Sequence, residues 1–200
     1  MIAYLLASLP TPRLTQTPPV EPGAFLDGCR GFVSETRWRD LAEVLATQPP
    51  TPASPRGESG HSGERSELGA RPHGDQRDPS ACAWADWRAQ IDDAVAVHRG
   101  AISRRDPAPY LRRPSGYRVD VVEGVERAFA AANPAARERA LDELRWRLAD
   151  ELASSEPDGF AALYARAAQL QLAWRWARWD ADAGWSVLDA TLRELEAPHA

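Results

Sequence analysis

The sequence predicts an all-α fold: an irregular helical bundle of about six helices interrupted by a disordered Pro/Gly-rich insertion. Three observations lead there. Trp84, Trp87, Ile91, Val95, His98 and Ile102 step by 3, 4, 4, 3 and 4, which puts them along one side of a helix. Asn133-Pro134 reads as a helix start, with Asn as N-cap and Pro at the first helical position. The stretch from Pro157 to Glu196 holds two apolar periodic runs joined at Asp180-Ala-Asp-Ala-Gly184, and carries half of the tryptophans.

From the N-terminus, IAYLLASL is too short and too apolar to assign by period, and an extended strand and a buried helical turn fit it equally. It has no basic flank and is far short of the ~20 residues that span a bilayer, so it is expected to fold into the protein. Five prolines between Pro10 and Pro22 then impose an extended connection. Phe25, Leu26, Cys29 and Phe32 have helical spacing, and Ser34 caps a second run with Trp38, Leu41, Val44 and Leu45 on one face. Residues 1–46 thus form an N-terminal segment and helical pair that packs on the main bundle.

Residues 47–80 change character to Pro, Gly, Ser and charge, with too little apolar surface to offset the entropy of ordering; a disordered linker is expected. The bundle proper is expected to occupy 81–197. After the Trp84 seam comes a loop at 107–116, then a helix from about Val119 with Val122, Val125, Phe129 and Ala132 on its face. The Asn133-capped helix runs to about Ser154 on a core line of Leu141, Leu144, Leu148 and Leu152, with Glu143 and Arg147 spaced as an outer i,i+4 pair. Trp146 lies off that line and is expected to pack on a second neighbour. In the following helix Phe160, Leu163, Tyr164, Ala167, Leu170 and Trp174 share one face. Leu172, Trp176 and Trp179 start another, as if that end were enclosed or met a partner. A final helix carries Trp185, Leu188, Leu192 and Leu195, with Asp180 and Asp182 as candidate caps.

Composition excludes several functions. All 24 basic side chains are arginine, yet the net charge is −5, against general nucleic-acid or anionic-membrane binding. Cys29 and Cys82 form no metal or redox motif and suit a reducing compartment. No phosphate-binding loop, dinucleotide fingerprint, nucleophile elbow or zinc-protease motif occurs, so no catalytic residue, cofactor or metal site is expected. His98 reads as a core-edge side chain, Asp92 and Asp93 as solvent-facing carboxylates. Asp180 and Asp182 as metal ligands would make a hydrolase, but helix capping explains them more simply. Arg104-Arg105 and Arg112-Arg113 flank the 106–116 loop and have the chemistry to hold a phosphate or an acidic surface; a solvated loop edge is the simpler reading in an acidic chain. Trp146, Trp174, Arg175, Trp176 and Trp179 are the candidate partner interface, because Trp and Arg dominate protein–protein hot spots. Trp176 and Trp179 are expected to matter more for assembly than for folding.

Four ordered segments resemble an uncharacterised bacterial family encoded among V-type (A/V-type) ATPase subunit genes. They are YLLASLP followed by EPGAFLDGCRGFVSETRWRDL; WADWRAQIDDAVAVHRGAISRRD; ANPAARERALDELRWRLADEL; and GFAALYARAAQLQLAWRWARWDADAGWSVL. The chain departs from the family in its short length and in the 47–80 linker. The resemblance implies a non-catalytic helical accessory subunit, analogous to the C/d-type subunit that seats the central stalk on the membrane rotor. Implied partners are V-type ATPase stalk and rotor subunits. The implied location is cytoplasmic, peripheral to the inner membrane through that complex, in proton or other ion transport. The alternative is a helical adaptor or regulatory protein that binds another partner through its Trp/Arg-rich face.

Overall fold

The computed structural model describes residues 1–46, 77–112 and 114–179. Expectations for 47–76, for Arg113, and for the last helix with Asp180, Asp182 and Trp185 lie outside the described residues. Within them the chain is all-helical: α1 (Ile2–Ser8), α2 (Pro22–Cys29), α3 (Glu35–Ala46), α4 (Pro79–Ser103), α5 (Val119–Phe129), α6 (Pro134–Ser155) and α7 (Phe160–Ala177), with one 3-10 turn at Ala108–Tyr110.

Local chemistry sets the helix starts. Asn133 Oδ1 accepts the Ala136 N–H at 2.8 Å, with Pro134 at the first helical position. The same device opens α4, two residues before the sequence reading resumes order: Asp78 accepts the Ser80 N–H at 2.9 Å and Pro79 follows. Residues 78–80 therefore belong to the helix and not to the linker. Asp78 is also buried and fastened to α3, where its N–H donates to Asp40 and its carboxylate takes Arg37 Nε at 2.9 Å. The N-terminal apolar run is a helical turn, α1, with Leu5 buried.

The hairpin of α6 and α7 turns through 156–159, and a connection this short makes the two helices antiparallel neighbours. The Glu156 carboxylate reaches back to accept the Ala161 N–H, serving as the cap that Gly159 has no side chain to provide. From Phe160 to Ala173 nearly every side chain of α7 is buried. A helix apolar on all sides must be surrounded, and α7 packs against α1, α2, α3, α4 and α6, with α5 wedged between α4 and α6.

One expected face is rotated and another loses its last residue. The buried line of α5 is Val121, Gly124, Val125 and Ala128, while Ala132 lies past the helix end and exposed. Gly124 explains the shift, because a Cβ there would meet the Leu144 methyls at 2.9 Å; the close approach of α5 to α6 turns its small-residue side inward. In α4, Trp84 and Ile91 are buried as expected but Ile102 is 72% exposed. The 105–107 loop folds back over Gly100, on the other side of that turn, with the Arg105 N–H donating to the Gly100 carbonyl at 3.0 Å. His98 stacks on Phe129 at 4.8 Å, the core-edge role its position suggests.

Asp92 and Asp93 do not simply face water. They hold the loop, Asp93 accepting the Arg112 N–H and Asp92 pairing with its guanidinium, both at 2.8 Å. Glu143 pairs with Arg139 at 3.4 Å, on the turn before it.

Two outcomes follow from this packing. A Cβ on Gly100 would lie 2.8 Å from the Arg105 carbonyl oxygen, and backbone must move to make room. Gly100→Ala should therefore lower stability by about 1–2 kcal/mol in urea unfolding, despite the better helix propensity of alanine. Both cysteines are free; Cys29 is buried, which pushes its thiol up to about 11, whereas Cys82 is exposed. A thiol reagent should label Cys82 in the native protein and reach Cys29 only after denaturation.

Candidate functional site

Charged residues on α6 at Glu138, Asp142 and Arg145 are spaced by four and three, so they line one face. The antiparallel hairpin lays the end of α7 across that face. Asp142 has no exposed surface, and four donated bonds meet its carboxylate. Arg175 Nη1 reaches both oxygens at 3.1 and 2.8 Å, Arg145 Nη1 donates at 2.6 Å, and Trp176 Nε1 at 2.9 Å. Arg175 Nη2 continues to Glu138 Oε2 at 3.0 Å. A buried carboxylate is tolerated only when its lone pairs are filled in this way.

The five candidate interface residues divide accordingly. Arg175 and Trp176 direct their donors inward to Asp142, which gives Trp176 a folding role. Trp174 is half-buried, and its Nε1–H donates to the Val20 carbonyl at 2.9 Å, so it fastens the proline-rich N-terminal stretch to α7. Arg166 does likewise one end earlier, donating to the Pro10 carbonyl at 3.2 Å. Trp146 lies one turn beyond Asp142 on α6, half-buried, and no ring contact joins it to the α7 tryptophans among the described residues. Trp179 is 60% exposed, and its ring stands edge-on to Trp176 at 5.1 Å and 80°. Arg139 lies over the Trp176 ring at 5.6 Å. Trp179 is thus a large aromatic surface braced from below.

Beside Asp142, a cavity of ≈ 730 Å³ opens between α4, the 105–112 loop and the facing ends of α6 and α7. Its walls bring Arg105 and Arg112, the loop-flanking arginines, together with Arg145 and Arg175; Arg104 instead closes α4 in the left-handed region at φ 53°. Asp142, Glu138, Arg145 and Arg88 were not singled out from sequence. The four-and-three spacing of 138, 142 and 145, interleaved with the leucine line, was the signal available.

No group of three or more His, Cys, Asp or Glu side chains among the described residues is placed to hold a metal ion. No helix among them is long and apolar enough to cross a membrane. Comparison with protein-family models, curated proteins and solved structures gives no match.

Removing Arg175 would strand the Asp142 carboxylate with Arg145 and the indole N–H. Arg175→Ala should lower stability by about 3 kcal/mol, the range for breaking a buried pair by deleting one partner. Trp176→Phe, which keeps the ring and removes one neutral-donor bond to the same charge, should cost about 1.5 kcal/mol. Chemical denaturation of both variants checks the ranking; equal stability of all three proteins would deny Asp142 its place as the α6–α7 joint.

Proposed function

We propose that the chain is a non-catalytic accessory subunit of a V-type rotary ATPase, helping couple the central stalk to the membrane rotor. The observation that carries this reading is the ordered resemblance of four segments to the family encoded among those ATPase genes. The same segments supply the fastenings of the fold. The first gives the Pro10 carbonyl that holds Arg166, and the third gives Asp142, which holds Arg175 and Trp176 of the fourth. Function still rests on the likeness, because a fold alone does not specify one. In this role the protein has cytoplasmic stalk and rotor subunits as partners, and meets the membrane only through them.

A second reading, a helical adaptor for some other partner, is favoured by Trp179 taken alone. An exposed tryptophan with a braced ring is the kind of side chain that anchors an interface whatever the partner.

Affinity purification of the tagged full chain from detergent-solubilised membranes separates the two. The ATPase reading expects stalk and rotor subunits in the eluate; their absence, with a different protein recovered stoichiometrically, would establish the adaptor instead. In either case Trp179→Ala should weaken partner binding by about thirtyfold, the minimum effect of losing a hot-spot side chain. Its melting temperature should stay close to that of the parent chain.

A further inference from the structure

The cavity beside Asp142 is lined by six arginines: Arg88, Arg99, Arg105, Arg112, Arg145 and Arg175. Against them stand three aspartates, and each is already engaged. Asp142 is taken by Arg145 and Arg175, and Asp92 by Arg112 at 2.8 Å. Asp106 accepts the Ala108 N–H in the loop. Arg99 has only a long 3.9 Å approach to Glu138. Arg88 and Arg105 have no carboxylate within ion-pairing distance among the described residues. The result is a concave surface with excess positive charge in a chain whose net charge is −5.

Arg88 is the most telling of these side chains. It projects from the middle of α4, half-buried. Burial lowers its pKa below the ordinary arginine value; Asp92 works against that shift, and Arg145 and Arg112 add to it. A guanidinium held away from water and near others of its sign is stabilised by an anion and by little else. Trp84, buried on the same wall, has an indole N–H with no hydrogen-bond partner among the described residues. The apolar part of the wall is formed mainly by Trp84, Val95, Pro107, Tyr110 and Leu172, with Ser103 and Gln171 as its neutral polar members. A volume of ≈ 730 Å³ suits a small organic ligand, not a single ion.

From the unpaired arginines and the apolar wall facing them, we infer that this cavity binds a phosphorylated small molecule with a flat or apolar group. The phosphate lies against Arg88, where a planar N–H fork matches its oxygens and the charges of Arg145 and Arg112 are near, and Arg105 adds its charge from the loop end of the same cavity. The apolar group lies against Trp84, Tyr110 and Leu172. Arg112, already oriented by Asp92 and by its own N–H bond to Asp93, closes the loop side. The loop-flanking arginines are thereby more than a solvated edge: the fold carries Arg105 and Arg112 onto a shared wall with an arginine from α4. This inference is independent of any association with an ATPase, since it concerns the isolated chain.

Calorimetric titration of the purified full chain with ADP and with pyrophosphate tests it. Saturable single-site binding of ADP is expected, with pyrophosphate weaker because it lacks the part that meets the apolar wall. Arg88→Gln should weaken ADP binding about tenfold to a hundredfold, the loss of a charge-assisted hydrogen bond, and Arg105→Gln should weaken it by a smaller factor. Arg127→Gln, exposed on α5 and paired with Glu123, should leave it unchanged. Melting of the unliganded Arg88→Gln protein should be no lower than that of the parent, which separates lost binding from lost folding. Absence of saturable ADP binding, or parent-like affinity in both cavity variants, would overturn the inference. Equal affinity for pyrophosphate and ADP would overturn the role given to the apolar wall.

Discussion

A helix that is apolar on every side cannot stand at a protein surface, and α7 is such a helix. From Phe160 to Ala173 it removes side chains from water around its full circumference, each large one worth about 1.5–3 kcal/mol when fully buried. That gain exists only if other elements surround it. The arrangement of α1, α2, α3, α4 and α6 about α7 follows from this demand, and so does the position of the proline-rich stretch between α1 and α2. That stretch cannot form a regular ladder of its own, so its Pro10 and Val20 carbonyls are satisfied by Arg166 and Trp174 from α7.

The polar counterpart of this constraint is Asp142. Hydrophobic burial says that α6 and α7 pack together but is indifferent to small slides along their axes. A fully buried carboxylate fixes the register, because only one alignment brings Arg175 and Trp176 to its oxygens while Arg145 approaches along α6 itself. Part of the Trp/Arg-rich end of α7 is therefore structural. This narrows what the described end of α7 can offer a partner: among the described tryptophans Trp179 is the exposed one, braced by Trp176, and any docking there inherits its rigidity from the Asp142 joint. The same joint neutralises Arg145 and Arg175 on the cavity side. The positive charge that remains comes from Arg88, Arg105 and the loosely held Arg99.

Much of the fold was legible in the sequence. Helical periodicity in α3, α4, α6 and α7, the Asn133-Pro134 start and the leucine line of α6 are all properties of contiguous residues. They are decided by local geometry and solvation, which need no knowledge of neighbours. Asp78-Pro79 carried the same start signal as Asn133-Pro134, but it stood at the edge of a Pro/Gly/Ser-rich stretch and was absorbed into it. The inward face of α5 lies one position away from the one its periodicity suggests, because periodicity counts large side chains and passes over Gly124, where close helix approach is made.

Contiguous residues were enough to show that this chain is helical, where most of its helices begin, which leucines they bury, and that half of its tryptophans gather near one end. These follow from side-chain size, polarity and spacing along a single helix. What the polar side chains do was settled by packing. Asp142 and Trp176 are 34 positions apart, and Arg88 and Arg105 lie on different elements. Whether a charge is buried, paired or left facing a cavity depends on which distant residue the fold brings to it, and no local pattern contains that distance. For the tryptophan-rich end, sequence supplied the aromatic mass, and the packing of α6 against α7 divided it between the joint and the surface.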